Sequence, residues 1–333
     1  MAMLTVGGYA STVILVHNKE TYQKWLDQLF KNEQFMYNHP NPKIRRVHRS
    51  TIKTIWPALL FKMNQWALGT AVIIFVIMIF VFINKLKHID ECSVEEDCNM
   101  VLMGYYYFPW DTNKYYWVAN MEDAVFGGLC GIFAITRDMF LASYICYLIC
   151  RLRLLSYIVR NLKEFAVEEI DSFKKFDEKI DYLLRLCVRE HQDIIREFFV
   201  LRENSSKMFL VMLIVHAPAV ANITLTIFKG DSTSTFALFV YCAAFYGCTH
   251  LYLILSLSEQ LSSECLFLAE SIHFLKWYEM NVKHQKILKF ILMRAQKPFV
   301  LTCGALFPAN LSVFTKTMRA IYTILNAFIN LSQ

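Results

Sequence analysis

The chain has 333 residues and a mass of 39.0 kDa; it is 56% hydrophobic, 15% aromatic and only 19% charged, with a net charge of +6. Its 10 glycines and 7 prolines exclude a collagen-like or disordered chain, and a mean hydropathy of +0.35 carried in long apolar blocks excludes a soluble globular one. Lys and Arg lie between those blocks rather than in a patch on a soluble domain, so the positive charge is a topology signal and no nucleic-acid partner is expected.

Six apolar stretches are long enough, or nearly so, to cross a hydrocarbon core of about 30 Å, which takes about 20 helical residues. Met1 to Val16 lacks a basic leader region and reads as a shortened span rather than a cleaved signal peptide. Trp66 to Ile83 is the cleanest, flanked by Lys62, Lys85 and Lys87. Ala124 to Cys150 carries Arg137 and Asp138 in its interior. Met208 to Phe228 and Phe236 to Leu257 are joined by too short a link for anything but antiparallel neighbours. Phe299 to Leu331 is the last, with Pro308 inside it.

Two polar segments, Arg151 to Lys207 and Ser262 to Lys297, separate these spans. In the first, Phe165, Ile170, Phe173, Phe176, Ile180, Leu183, Leu184 and Cys187 recur at helical spacing amid 12 basic and 11 acidic residues. That mixture suits a protein-packed helical domain better than a lipid-binding surface helix. Gln34 to Lys62 holds six basic residues and no acid, whereas Lys87 to Asp123 holds two lysines and eight acids. The first is therefore expected in the cytoplasm and the second outside; alternation then puts both long polar segments inside and both chain ends outside.

An ionisable group at membrane depth costs at least about 2.5 kcal/mol unless paired or hydrated. Arg137 and Asp138 are neighbours about 100° apart on a helix, so each is expected to find a partner on another helix, either as bracing or in a ligand or ion role. His216 and His250 read as hydrogen-bonded histidines, with no second carboxylate in view for a proton relay. Cys130, Cys146, Cys150, Cys242, Cys248 and Cys303 lie in apolar runs and behave as small hydrophobes. Cys92 and Cys98, in the acidic loop, either pair or stay free. No cofactor or metal motif and no catalytic signature is present, so an enzyme is not expected.

The second half of the last span mixes Ser312, Thr315, Lys316, Thr317, Arg319, Thr323, Asn326 and Asn330 with Phe314, Met318, Ile321, Leu325 and Phe328. Lipid would not accept that mixture on every side, but a helix with one wall on water would, which is how pore-lining segments are built.

Three segments carry a resemblance. Tyr107-Phe108-Pro109-Trp110-Asp111, Cys187-Val188-Arg189-Glu190-His191-Gln192, and Arg294-Ala295-Gln296-Lys297-Pro298 leading to Phe314 and Ala320-Ile321-Tyr322-Thr323 together resemble the insect odorant receptor family, in order and over nearly the whole chain. The chain is similar to an odorant-tuned subunit rather than the common co-receptor, because the inner segment before Leu183 lacks a long insertion. Gustatory receptors end in a pattern that Tyr322, Asn326, Ala327 and Phe328 do not complete.

The resemblance implies an all-α polytopic membrane bundle, six of seven spans, with helices extending into a cytosolic anchor domain. The count fits if the first span is absent, with Met1 at the start of the second. The implied division is 1–160 and 203–262 as transmembrane bundle, 161–202 and 263–297 as anchor helices, and 298–333 as the pore-lining span. Also implied are a multi-pass plasma-membrane location with the C-terminus extracellular, and a heterotetramer with the odorant co-receptor. The complex would be a ligand-gated non-selective cation channel opened by a small volatile odorant, in contact with membrane lipid and needing no cofactor. The pocket is expected between spans at Phe75, Ile79 and Phe82; Val125, Leu129 and Ile132; and Phe239, Ala243 and Tyr246, with a bland core reading of the same residues equally open. Ala327, Phe328 and Asn330 align with the family's hydrophobic gate and following polar ring. A gustatory-type channel, a transporter of a small apolar solute and a receptor coupled to intracellular partners are the alternatives.

Overall fold

The computed structural model describes residues 19–39, 41–53, 65, 69, 115–167, 176–228, 234–304 and 306–332. These are almost entirely helical: α1 (Lys19–Tyr37), α2 (42–53), α3 (Tyr116–Arg160), α4 (Leu162–Val167), α5 (Phe176–Phe228), α6 (Ser234–Phe274), α7 (Val282–Ala295) and α8 (Leu311–Ser332). The family's outer-loop segment Tyr107–Asp111, Cys92 and Cys98, and Phe75, Ile79 and Phe82 lie outside the described residues.

Length decides the architecture. With 45, 53 and 41 residues, α3, α5 and α6 run about 68, 80 and 62 Å at the α-helical rise, roughly twice a hydrocarbon core. Each of the three runs without a break from an apolar run into part of the neighbouring polar segment, so the bundle extends well past any bilayer. By length and composition alone, one stretch among the described residues, Thr136–Arg160, is apolar enough to cross a membrane. Helix α5 stays helical through Pro218.

Along the charged halves, α3, α4, α5, α6 and α7 close around a dry core: Leu148, Leu152, Val159, Leu162, Phe165, Leu183, Leu184, Ile194, Leu201, Leu261, Leu268 and Phe299 are fully buried. The helical period expected for Arg151 to Lys207 is an inward apolar face at Phe165, Ile180, Leu183, Leu184 and Cys187; Phe176 is exposed, and Ile170 and Phe173 lie outside the described residues. This core is one cluster from Met36 through Ala309. Cys146, Cys187, Cys265 and Cys303 are buried free thiols within it, and burial pushes the Cys187 thiol up to about 12, leaving it protonated and unreactive.

The last span differs from expectation. Among the described residues, Phe299–Asn310 holds no helix: Thr302–Cys303 and Phe307–Pro308 pair as a short antiparallel hairpin, and α8 starts only at Leu311. Pro308 has no N–H to continue a helix, and Gly304 sits at φ +62° in the left-handed region that turns the chain.

Candidate functional site: the last helix and two buried ion clusters

Asn310 caps α8, its side-chain oxygen accepting from the Val313 N–H at 3.1 Å. The Leu311 N–H donates to Glu259 Oε2 of α6 at 2.9 Å, placing a carboxylate where the helix dipole favours it. Val313, Ile321 and Leu325 are buried, with Phe314, Thr317 and Met318 beside them; Phe314 meets Tyr252 edge-on at 5.6 Å, and Met318 Sδ lies 3.9 Å from Cys248 Sγ. Ser312, Lys316, Arg319, Thr323, Ala327 and Asn330 are exposed and fall, at successive spacings of three or four, on the opposite face. Thr323 and Thr315 donate to the carbonyls four residues back, at 2.9 and 3.1 Å. Such a helix is packed on one side and wettable on the other.

A latch joins α5 to the segment before α8. The Gly304 N–H donates to the Ser206 carbonyl at 2.8 Å, the Ser206 hydroxyl donates to the Gly304 carbonyl at 2.8 Å, and that hydroxyl lies 3.1 Å from Thr302 Oγ1. Beneath it Phe198 and Phe299 stack at 4.4 Å, and the Arg294 guanidinium lies 5.4 Å from the Phe299 ring. The Arg294-to-Pro298 motif thus ends α7 and seats the start of the last segment.

In α3, Arg137 and Asp138 are both buried; Asp138 finds the partner on another helix that was expected, while the expectation that the two cannot pair with one another is corrected. Arg137 Nε donates to Asp138 Oδ1 at 2.8 Å, so the two do satisfy one another, because the guanidinium is long enough to fold back over its neighbour. The other oxygen, Oδ2, lies 2.8 Å from His250 Nε2 of α6. His250 therefore has a carboxylate beside it, which sequence spacing could not reveal because 112 positions separate the pair (250 minus 138).

The second cluster lies at the charged end of the bundle. Arg151 of α3 donates to Glu197 at 2.7 Å and Glu190 at 2.8 Å, both on α5, and Asn32 of α1 donates to Glu197 at 2.8 Å. Burial holds the Glu197 carboxyl above the usual range, against the pull of Arg151. Arg153 reaches Glu264 of α6 at 2.6 Å, and Lys163 pairs with Glu279. The motif around Cys187 supplies this region, since Glu190 holds Arg151 while Cys187 and His191 are buried. Burial lowers His191 to about 4, with Arg294 adding repulsion.

Of the expected pocket residues, Val125 and Leu129 lie on α3 and are exposed, at 59% and 49%. Ile132 on α3 and Phe239, Ala243 and Tyr246 on α6 lie in helix, with side chains outside the described residues. Ala327 and Asn330 are exposed on α8, and the Phe328 side chain lies outside the description.

A family model described as 7tm Odorant receptor matches residues 2–322. The chain belongs to the odorant receptor family. Odorant receptor 22b of Drosophila melanogaster is 25% identical over 228 residues, 66% of this chain and 53% of that receptor. Odorant receptor 30a of the same fly is 40% identical over 47 residues, 14% of this chain and 12% of that one. The chain thus spans about half the length of the first of these relatives. Olfactory receptor OR5 of Machilis hrabei, solved in complex with eugenol, superposes with a TM-score of 0.73 at 18% identity over 98% of this chain and 80% of that one. A second structure of that receptor gives 0.71 at 19% identity, with the same coverage. The shared fold is a helical membrane bundle, and the family is one of multi-pass membrane proteins. It does not favour the gustatory or transporter alternatives.

Proposed function

We propose that this chain is the odorant-tuned subunit of a ligand-gated, non-selective cation channel, assembled with a co-receptor around a shared pore that α8 lines. The observation that carries this reading is the polar face of α8, which lies opposite the face packed on its own subunit. In a closed ring, the side left open by one subunit is available to water and to the next subunit. Thr315 and Thr323, which bond to their own helix, present hydroxyls that can exchange with an ion's hydration shell without holding it tightly.

Under this reading the charged ends of α3, α5, α6 and α7 are the cytosolic anchor, 42–53 faces the cytoplasm, and the C-terminus is extracellular. The odorant pocket lies between spans at Phe75, Ile79, Phe82, Val125, Leu129, Ile132, Phe239, Ala243 and Tyr246. Its occupant is a small apolar volatile, of the size of the eugenol held by the Machilis receptor. The ligand opens the pore only by preferring the open state.

Current recorded from cells expressing this chain with a co-receptor tests the assignment. Asn330→Asp is expected to raise divalent over monovalent permeability, and Ala327→Ser to raise current without ligand. If both variants reach the surface and leave reversal potential and basal current unchanged, α8 does not line the pore. In the same cells Ala243→Leu is expected to shift odorant preference while a co-receptor agonist still gates; an unchanged profile across an odorant panel removes α6 from the pocket.

A further inference from the structure

Helix α2 carries a second surface that the channel reading does not use. Pro42, Arg45, Arg46, Arg49, Ser50 and Lys53 line an open cleft of about 610 Å³. Their spacings of i, i+3, i+4, i+7, i+8 and i+11 put all six on one helix face. On the other face Ile44 and His48 are buried and Val47 packs against the core, so the basic face is fixed in its outward direction. A topology signal needs only a count of cations near a span; it does not need four of them on one face.

Three details argue that this face is built for an anion. First, the neighbouring carboxylates are engaged off the stripe: Glu33 lies 3.3 Å from His48 Nε2, and Glu164 pairs with Lys43 at 3.7 Å. Among the described residues no carboxylate pairs with Arg45, Arg46, Arg49 or Lys53. Second, Arg49 is held in place, its guanidinium 4.4 Å from the Tyr37 ring centre. Third, the Asn41 side-chain oxygen takes the N–H groups of Lys43 and Ile44 at 2.9 and 3.2 Å. The start of the helix is thereby satisfied, and the charge facing the cleft belongs to side chains.

We propose that this face binds the headgroup of a polyphosphorylated inositol lipid in the inner leaflet. The choice of lipid follows from charge and place. Four cations exceed what a singly charged headgroup can neutralise, and Arg forks match phosphate oxygens two at a time. Lys53 precedes Trp66, where the cleanest span begins, by 13 positions (66 minus 53), and a basic cluster just inside a span is where inner-leaflet anionic lipid concentrates. The proposal rests on the cytoplasmic placement of α2 given above.

The test uses the full chain purified in phosphatidylcholine nanodiscs containing a photoactivatable phosphatidylinositol 4,5-bisphosphate, with labelled peptides mapped by mass spectrometry. Labelling is expected within residues 42–53. Unlabelled phosphatidylinositol 4,5-bisphosphate should compete, and phosphatidylserine should do so far less well. The double variant Arg46→Gln, Arg49→Gln is expected to weaken the competition midpoint about tenfold, while Arg46→Lys, Arg49→Lys keeps most of it.

Labelling confined to other segments, or equal competition by phosphatidylserine, overturns the proposal. Competition by soluble inositol trisphosphate at the lipid's own midpoint assigns the face to a free phosphate and equally overturns the lipid. Should the Gln variant not fold, peptide mapping and competition on the unaltered chain still decide. Failure of the topology is read separately: a membrane-impermeant amine reagent that labels Lys53 in intact cells places α2 outside. A Lys53 protected until permeabilisation, with no lipid labelling, refutes the lipid site alone.

Discussion

The charged end of the bundle and the helix α8 both mix polar and apolar residues, but they arrange them in opposite ways. In the bundle Arg151, Glu190, Glu197 and Asn32 are held by one another across three helices, and the apolar residues around them are almost wholly buried. On α8 the apolar residues form a narrow packed stripe at Val313, Ile321 and Leu325, while the polar ones stand exposed or bond to their own backbone. Polar groups satisfied across helices fix a geometry; polar groups satisfied within one helix leave it free to meet water or a neighbour. Under the proposed reading, the first design suits an anchor and the second a moving wall.

The sharpest way to break this contrast is to remove the hub of the buried network. Arg151→Met leaves Glu190 and Glu197 facing each other in a dry core, which is expected to cost about 3–5 kcal/mol. The readout is the melting temperature and surface delivery of the detergent-solubilised full chain. Adding Glu190→Gln and Glu197→Gln should restore much of the loss, because the like charges are then gone. A melt unchanged in the single variant would show that the network does not hold the bundle. An equivalent loss from Thr323→Val would remove the distinction between the two regions.

Much of this division was legible beforehand. The polar face of α8 and the amphipathic period of Arg151 to Lys207 follow from residue spacing alone, since a helix converts sequence order into sides. Three things were not legible. The partner of Asp138 comes from a helix more than 100 positions away, and helical geometry carries no information at that range. The pairing of Arg137 with its own neighbour depends on a side-chain bend that counting Cα angles ignores. The break at Phe299–Asn310 hides inside an apolar run, because Phe307, Leu306 and Val300 read as span residues whatever backbone they adopt. Val125 and Leu129 were chosen by spacing, which marks a shared face without saying whether that face meets a cavity, a lipid or another subunit.

Acid separates the two regions by a smaller effect. His191 is buried neutral, with a value near 4 in the fold against 6.5 when unfolded. The unfolded chain therefore binds more protons between those values, and stability contributed by His191 is full above about pH 6.5 and falls as pH drops toward 4. At pH 5 the loss is about 2 kcal/mol. His39, also lowered to about 4 by burial, pulls the same way. Glu197 opposes both: its raised carboxyl favours the folded state as it gains a proton. The net expectation is a melting temperature of the full chain that falls between pH 7 and pH 5, with a shallower fall in His191→Gln. Equal slopes in the two proteins would mean that His191 is not buried neutral.

The finest probe sits where the regions join. A methyl at Gly304 would meet Leu210 Cδ2 at 3.0 Å, and its φ of +62° is one that alanine adopts with strain. Gly304→Ala is therefore expected to cost about 1–2 kcal/mol, less than loss of the Arg151 hub. Its larger consequence should be functional. The Ser206 and Gly304 backbone pair is where α5 of the packed bundle grips the segment leading to α8, so loosening it should change how odorant binding reaches the pore. In cells with a co-receptor, the odorant concentration for half-maximal current should shift while the reversal potential, which the proposed reading assigns to the α8 face, stays fixed. Ser206→Ala, which removes the hydroxyl but leaves the backbone pair, should shift it in the same direction by less. A moved reversal potential would place Gly304 among the determinants of the pore itself, and an unmoved dose-response in both variants would show that the bundle and α8 communicate by another route.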